Sequence, residues 1–116
     1  MKASIVIANY NNSNFIEECI NSINSQTYKD IEIIFFDDNS KDNSIDIIKK
    51  FTNIKVIQNK IQTKYGSLNQ MNAFKKSVEL STGDIIFFLD SDDYFKKDKV
   101  EKIFNFFLEN KKKKIV

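Results

Sequence analysis

Histidine and arginine are both missing from this 116-residue chain, and each absence removes a class of chemistry. Without histidine there is no Ser-His or Cys-His nucleophile, no imidazole base and no use of the commonest zinc ligand. Acid, base and metal chemistry therefore falls to carboxylates. Without arginine, all eighteen basic residues are lysines, and the bidentate forks that read nucleic-acid bases are lacking. Nucleic acid is not an expected partner, and a net charge of only +2 adds little attraction for it. Proline is absent and glycine occurs twice, so no linker signal divides the chain. The single cysteine, Cys19, has no partner for an internal disulfide. Its apolar neighbours suit a buried thiol in a reducing, cytoplasmic setting. No apolar run reaches the roughly 18 residues needed to span a bilayer. Met1-Lys2 leads straight into a strand pattern and not into a signal peptide.

What is present suits one soluble domain over residues 1–116, with 41% hydrophobic and 29% charged residues around one core. Four short apolar runs alternate with four stretches of helical period, the pattern of an α/β domain with a largely parallel sheet. The strand candidates are Ala3 to Ala8, Ile31 to Phe36, Ile54 to Ile57 and Ile85 to Leu89, rich in Ile, Val and Phe as doubly buried strands should be. Lys55 within the third points to a sheet edge. Helical stripes read as core are Phe15, Ile16, Cys19, Ile20 and Ile23; Ile45, Ile48 and Phe51; Leu68, Met71, Phe74 and Val78; and Val100, Ile103, Phe104 and Phe107. Asn14 with Glu17 has the spacing of a capping box. Lys111 to Lys114 give way to Ile115-Val116, which reads as the first step of a fifth strand in a longer fold. A sheet cut short there leaves an apolar edge that invites self-association.

In open α/β sheets, ligands bind outside the carboxyl ends of the strands, so the residues after each apolar run matter most. Strand one ends in Asn9-Tyr10-Asn11-Asn12, strand two in Asp37-Asp38-Asn39-Ser40, and strand four in Asp90-Ser91-Asp92-Asp93. Strand three ends in Gln58-Asn59-Lys60, without an acidic cluster. Five aspartates at one edge would repel one another, and a cation is the simplest remedy. Carboxylate oxygens suit magnesium or manganese, which are usually held by one or two carboxylates together with substrate phosphates. The bland reading of the same residues is that they cap helices and solvate turns. Asn11, Asn12 and Ser40 are read that way. Tyr10 is placed to stack on a base, with backbone groups of Ala8 and Asn9 near the base edge and Asp38 accepting a base N–H. Gly66 would permit a tight turn near phosphates, and equally would simply start a helix. Lys64 is a further candidate for a phosphate.

Taken in order, Ser4-Ile5-Val6-Ile7-Ala8-Asn9-Tyr10-Asn11, Ser25-Gln26-Thr27-Tyr28, Phe36-Asp37-Asp38-Asn39-Ser40-Lys41-Asp42 and Gly83-Asp84-Ile85-Ile86-Phe87-Phe88-Leu89-Asp90-Ser91-Asp92-Asp93 resemble glycosyltransferase family 2. The four pieces span nearly the whole chain, and their order and spacing carry the specificity. The resemblance implies the GT-A fold, a Rossmann-like three-layer sandwich with a mainly parallel sheet. It implies a nucleotide-diphosphate sugar donor, UDP in the first instance, Mn2+ or Mg2+ as cofactor, and transfer with inversion to a carbohydrate or lipid-linked acceptor. Surface polysaccharide or glycoconjugate synthesis would be the setting, with membrane association of a full-length protein. By the same resemblance Ala8 and Tyr10 lie against the base, Asp38 bonds its ring nitrogen, Asp90 and Ser91 lie near the ribose, and Asp92 is the metal ligand beside Asp90. The segment from Gly66 to Asn72 would line the donor pocket.

Two departures stand out from the family pattern. Ala8-Asn9 replaces the usual Pro-Thr or Pro-Ser, which a backbone contact survives and a hydroxyl contact does not. Asn69 and Met71 stand where acidic and basic residues are common. By the same resemblance the catalytic base would be a carboxylate well downstream of Asp-x-Asp, expected beyond Val116. Alternatives are a haloacid dehalogenase-type phosphatase or a non-catalytic nucleotide-binding module. Against the phosphatase, its Asp-x-Asp would come early, whereas this one comes late and runs on into Asp93-Tyr94. A receiver-like module would need acidic residues where Asn9-Tyr10 stand, and the Gly-x-Gly-x-x-Gly turn of dinucleotide binders is missing.

Overall fold

The computed structural model describes residues 1–59 and 66–110, the side chains of 66–70 excepted. Strands and helices alternate as β1 (Ala3–Asn9), α1 (Ser13–Asn24), β2 (Ile31–Asp37), α2 (Ser44–Ile48), β3 (Ile54–Gln58), α3 (Gly66–Leu80), β4 (Ile85–Asp90) and α4 (Lys99–Glu109). The four strands form one parallel sheet in the order β3-β2-β1-β4. β3 is an edge strand, as Lys55 suggested. Each strand runs one residue past its apolar run, so that Asn9, Asp37, Gln58 and Asp90 are still in the strands.

Alternation along the strands sends Ala3, Ile5, Ile7, Ile33, Phe35, Phe87 and Leu89 to one face. There they pack with Ile16, Cys19, Ile20 and Ile23 of α1, Ile48 of α2, and Val100 and Phe104 of α4. Each fully buried Ile, Val, Leu or Phe among them stabilises the fold by about 1.5–3 kcal/mol before entropy is counted. Val6, Ile34 and Phe36 are buried on the opposite face, where α3 lies against β2 and Phe74 of α3 stacks on Phe88 of β4 at 4.6 Å. Helices on both faces of a parallel sheet make the expected three-layer α/β sandwich.

Several expectations need correction. Among the described side chains of α3, Ala73 and Ser77 are buried and Val78 is half-buried, while Met71 is 67% and Phe74 54% exposed; small side chains set the closest contact with the sheet because they let the helix axis approach, and Phe74 meets it only through its stack on Phe88. Leu68 falls on a side chain outside the described residues, as do Lys60, Lys64 and the 111–116 segment with its suggested fifth strand. Phe15 and Phe107 are exposed, so the α1 and α4 stripes are narrower than read. The Asn14–Glu17 capping box does not form, because α1 starts at Ser13 and Asn14 is already inside it. Instead the Ser13 N–H donates to Asp42 Oδ2 at 3.0 Å. Asp42 Oδ1 also accepts from the Ser44 N–H at 3.0 Å, so one carboxylate serves the starts of two helices. Burial pushes the Asp42 carboxyl up, but the bonds from Ser44 and Ser13 outweigh this and hold it below the usual range.

At the amino ends of the strands a second polar group is enclosed. Glu32 accepts from Ser4 Oγ and the Thr82 N–H and pairs with Lys55 Nζ at 3.1 Å and Lys2 Nζ at 3.7 Å. The Gly83 N–H donates to Ser4 Oγ at 2.8 Å. A Cβ at Gly83 would stand 2.6 Å from Ser4 Oγ and 2.7 Å from its backbone nitrogen, so this approach requires glycine. The entry to β4 is thereby fastened to β1 and β2. Among the described residues no helix is long and apolar enough to cross a membrane.

Candidate functional site

The carboxyl edge of the sheet brings together turns that are 82 residues apart in the chain. In the register Asn9 lies opposite Asp37 and Ala8 opposite Asp90. Backbone bonds extend the pairing past the ladders: the Asp38 N–H donates to Asn9 O at 2.9 Å, the Ser91 N–H to Ala8 O at 3.0 Å and the Asn59 N–H to Asp37 O at 2.8 Å. The turns after β1 and β2 each hold an asparagine in the left-handed region, Asn11 at φ 51° and Asn39 at φ 57°, where asparagine is better tolerated than most residues.

Side chains link the turns below the surface. Asn9 Nδ2 donates to Asp37 Oδ1 at 2.8 Å and to Ser40 Oγ at 3.2 Å, while Ser91 Oγ donates to Asn9 Oδ1 at 2.7 Å. Asn12 Nδ2 donates to Ser91 Oγ at 3.1 Å, which explains why Asn12 does not cap α1. Asp37 also accepts from the Ser40 N–H at 3.0 Å and Ser40 Oγ at 2.6 Å. Asn9, Asp37 and Ser91 are at most 2% exposed.

This arrangement changes the electrostatic picture drawn from the sequence. Asp37 is enclosed by donors, and Asp38 accepts from Asn59 Nδ2 at 2.9 Å. Of the five aspartates, Asp90, Asp92 and Asp93 remain exposed, and among the described residues no lysine pairs with them. Asp93 accepts from the Tyr94 N–H at 2.8 Å. These three lie over α1: burial first, then the charges of Asp93, Asp92 and Asp90, push the Cys19 thiol up to about 12. The buried thiol inferred from the sequence is found, and its carboxylate neighbours account for part of the shift. Among the described residues no three His, Cys, Asp or Glu side chains form a group able to hold a metal by themselves.

The expected nucleotide residues fall into two groups. Tyr10 is 49% exposed, Ala8 is exposed, Asp38 is half-buried and Asp90 and Asp92 are exposed, all at this one edge. Asn9 and Ser91 are buried instead. The Ser91 hydroxyl is bonded to Asn9 and Asn12, so it holds the turn from beneath and presents no surface to a ribose. The carbonyls of Ala8 and Asn9 already accept one bond each, from Ser91 and Asp38. Gly66 opens α3, and its surroundings lie outside the described residues. A hollow of about 510 Å3 adjoins the acidic turn on its α4 side, bordered by Phe88, Asp90, Asp93, Tyr94 and Lys96. Tyr10 and Asp38 do not border it, so it is separate from the edge above β1.

Sequence reasoning missed what holds the segment after the acidic turn. Phe95 N–H donates to Ser22 Oγ at 3.1 Å, and Gln26 Nε2 to Lys96 O at 2.7 Å. Gln26 Oε1 accepts from the Val100 N–H at 3.1 Å, in place of a capping side chain at the start of α4. Gln26 is wholly buried. The signal was the Ser25-Gln26-Thr27-Tyr28 piece, whose structural duty is this latch on α4.

Comparison with known proteins agrees with the geometry. Residues 4–116 match the profile of glycosyl transferase family 2. The chain is 37% identical over 112 residues to an uncharacterized glycosyltransferase of Nostoc sp., covering 92% of this chain and 33% of that one. It is 38% identical over 116 residues to the poly(ribitol-phosphate) beta-glucosyltransferase of Bacillus spizizenii, covering 95% and 18%. The crystal structure of S. aureus TarS 1–349 in complex with UDP-GlcNAc superposes with a TM-score of 0.81 at 29% identity, covering 95% of this chain and 32% of that one. The chain thus spans a third or less of the length of each of these relatives. With its all-parallel sheet, its layered helices and this match over nearly every residue, the chain belongs to glycosyl transferase family 2 and has the GT-A fold.

Proposed function

We propose that residues 1–116 form a nucleotide-sugar-binding domain that holds the nucleoside diphosphate of a UDP-sugar across the carboxyl ends of β2, β1 and β4. The protein to which it belongs would then transfer the sugar to an acceptor hydroxyl with inversion. The observation that carries this reading is the division of that edge. Tyr10 and Asp38 lie at the ends of β1 and β2, and Asp90 and Asp92, which no lysine among the described residues pairs, at the end of β4. With β1 between them, β2 and β4 are about 10 Å apart at ordinary strand spacing, a separation on the scale of a nucleoside and its phosphates. TarS, seen with UDP-GlcNAc, supports a nucleotide-sugar donor, and the poly(ribitol-phosphate) relative supports a polymer as acceptor.

Each residue then has its own task. The half-exposed ring of Tyr10 stacks on the base, and Ala8 beside it leaves room for the ring to lie flat. Asp38 accepts a base N–H, which adds the discrimination that stacking lacks. Asp90 and Asp92 offer hard oxygen donors with no competing lysine among the described residues, a set that fits Mg2+ or Mn2+ completed by phosphate and water. When bound, such an ion neutralises charge on the departing diphosphate. Deprotonation of the acceptor is assigned to none of the described residues.

Titration calorimetry with UDP in the presence of Mn2+ tests the reading. Saturable binding that disappears with EDTA is expected. Absence of heat with both ligands present sinks it.

A further inference from the structure

We propose that Asn9 is a positioning residue that ties the turn after β2 to the turn after β4, so that base binding and diphosphate binding reinforce each other; this rests on the donor-site reading above. Asn9 sits on the middle strand of the three and is 2% exposed. Both its amide groups are engaged, and in opposite directions. Nδ2 reaches Asp37 at 2.8 Å and Ser40 at 3.2 Å, on the β2 side. Oδ1 receives Ser91 Oγ at 2.7 Å, from the β4 side.

The amide is suited to this place chemically. Asp37 is a carboxylate that needs a donor, and Ser91 already receives a bond from Asn12, so its hydroxyl proton needs an acceptor. A carboxamide supplies one of each. A carboxylate at position 9 would face Asp37 with like charge, and an aliphatic side chain would leave the Ser91 hydroxyl proton without this acceptor and Asp37 with only its bonds from Ser40. The neighbours also fix the amide orientation, since a flipped group would set Oδ1 against Asp37. Beside the backbone bonds from Asp38 and Ser91 to β1, the Asn9 side chain joins the Asp37–Ser40 turn, which carries Asp38, directly to the Asp90–Asp93 turn. Such coupling holds the two half-sites at a set spacing before ligand arrives, which lowers the ordering cost of binding.

The test compares uridine alone with UDP plus Mn2+ on the protein at its natural length, by calorimetry, in the native form and in Asn9→Ala, Ser91→Ala and the double variant. The quantity read is the factor by which the metal-bound diphosphate improves on uridine. We expect that factor to fall about tenfold in each single variant, with uridine affinity itself falling less than about threefold, and no further fall in the double variant because one link has been cut twice. Equal losses of uridine and UDP affinity, or losses that add in the double variant, would show a purely structural role and overturn the proposal. If Asn9→Ala does not fold, Ser91→Ala removes only a hydroxyl and cuts the same link from the other strand, with the same outcomes deciding. Failure of the native protein to bind UDP with Mn2+ overturns the donor reading and this inference together, whereas native binding with an undiminished factor in the variants overturns this inference alone.

Discussion

At the amino ends of β1, β2 and β4 the carboxylate of Glu32 is enclosed, bonded by Ser4 and Thr82 and paired with lysines. At the carboxyl ends of the same strands Asp90 and Asp92 stand exposed, and no lysine among the described residues pairs with either. The two ends differ in what lies beneath as well. The amino end buries a charge and satisfies it, whereas the carboxyl end buries a largely amide and hydroxyl network around Asp37 and leaves Asp90, Asp92 and Asp93 outside. A parallel sheet can therefore use one polar edge for stability and keep the other open to a cationic or phosphate-bearing ligand. Eighteen lysines were available; that none of the described ones pairs with the acidic turn is a matter of placement and not of number.

Breaking the closed end should have the largest effect. Glu32→Ala removes the acceptor shared by Ser4, Thr82 and Lys55, and a loss of about 3 kcal/mol in urea unfolding is expected. A loss below about 1 kcal/mol would mean that the cluster is only a surface pair. The pH dependence follows in sign. Burial alone would raise the Glu32 carboxyl, but hydrogen bonds from Ser4, Thr82 and Lys55 bring it from 4.5 to about 2. Its contribution is therefore complete above 4.5 and is lost as pH falls through about 2. Glu32→Gln should flatten the acid limb of stability in that window.

Breaking the open end should leave the fold intact. Asp92→Ala is expected to change unfolding by less than about 0.5 kcal/mol, while Mn2+-dependent UDP affinity falls at least tenfold, or about 1.4 kcal/mol. Equal binding by mutant and native chains would remove Asp92 from the site. The smallest effect sharpens the comparison from below. With its thiol pushed to about 12 under the acidic turn, Cys19 should react with iodoacetamide at about pH 8 at least about a hundredfold more slowly in the native protein than in urea. Similar rates would mean that Cys19 is not shielded in the native protein.

How far these two ends could be read from residues alone differs by element. β1, β2 and β4 were legible because runs such as Ile5-Val6-Ile7 and Ile33-Ile34-Phe35 have only one favourable place, a sheet covered on both faces. Their last residues were not, since Asn9, Asp37 and Asp90 are polar and hydropathy ends where the ladder does not. α1 was found through Ile16, Cys19, Ile20 and Ile23. α3 was found as a helix, but its buried positions were missed, because Ala73 and Ser77 meet the sheet by being small while Met71 stays exposed and Phe74 only stacks on Phe88. Tyr10, Asp38, Asp90 and Asp92, singled out as residues that follow or end apolar runs, stand at one edge of the sheet. Asn9 and Ser91 were singled out too, but as ligand-facing groups, and they turn out to be buried beneath it.

The sequence by itself determined that neither histidine nor arginine is present to serve a ligand, that the fold was a layered α/β sheet, and which turns would stand at its carboxyl edge. These are local matters: residue type, periodicity and position after an apolar run. Only the tertiary structure decided which polar groups are consumed by one another and which are left for a ligand. Asn9 meets Ser91 across 82 residues of chain, and Glu32 meets Thr82 across 50. Such pairings depend on strand order and register, which neighbouring residues in the chain do not encode.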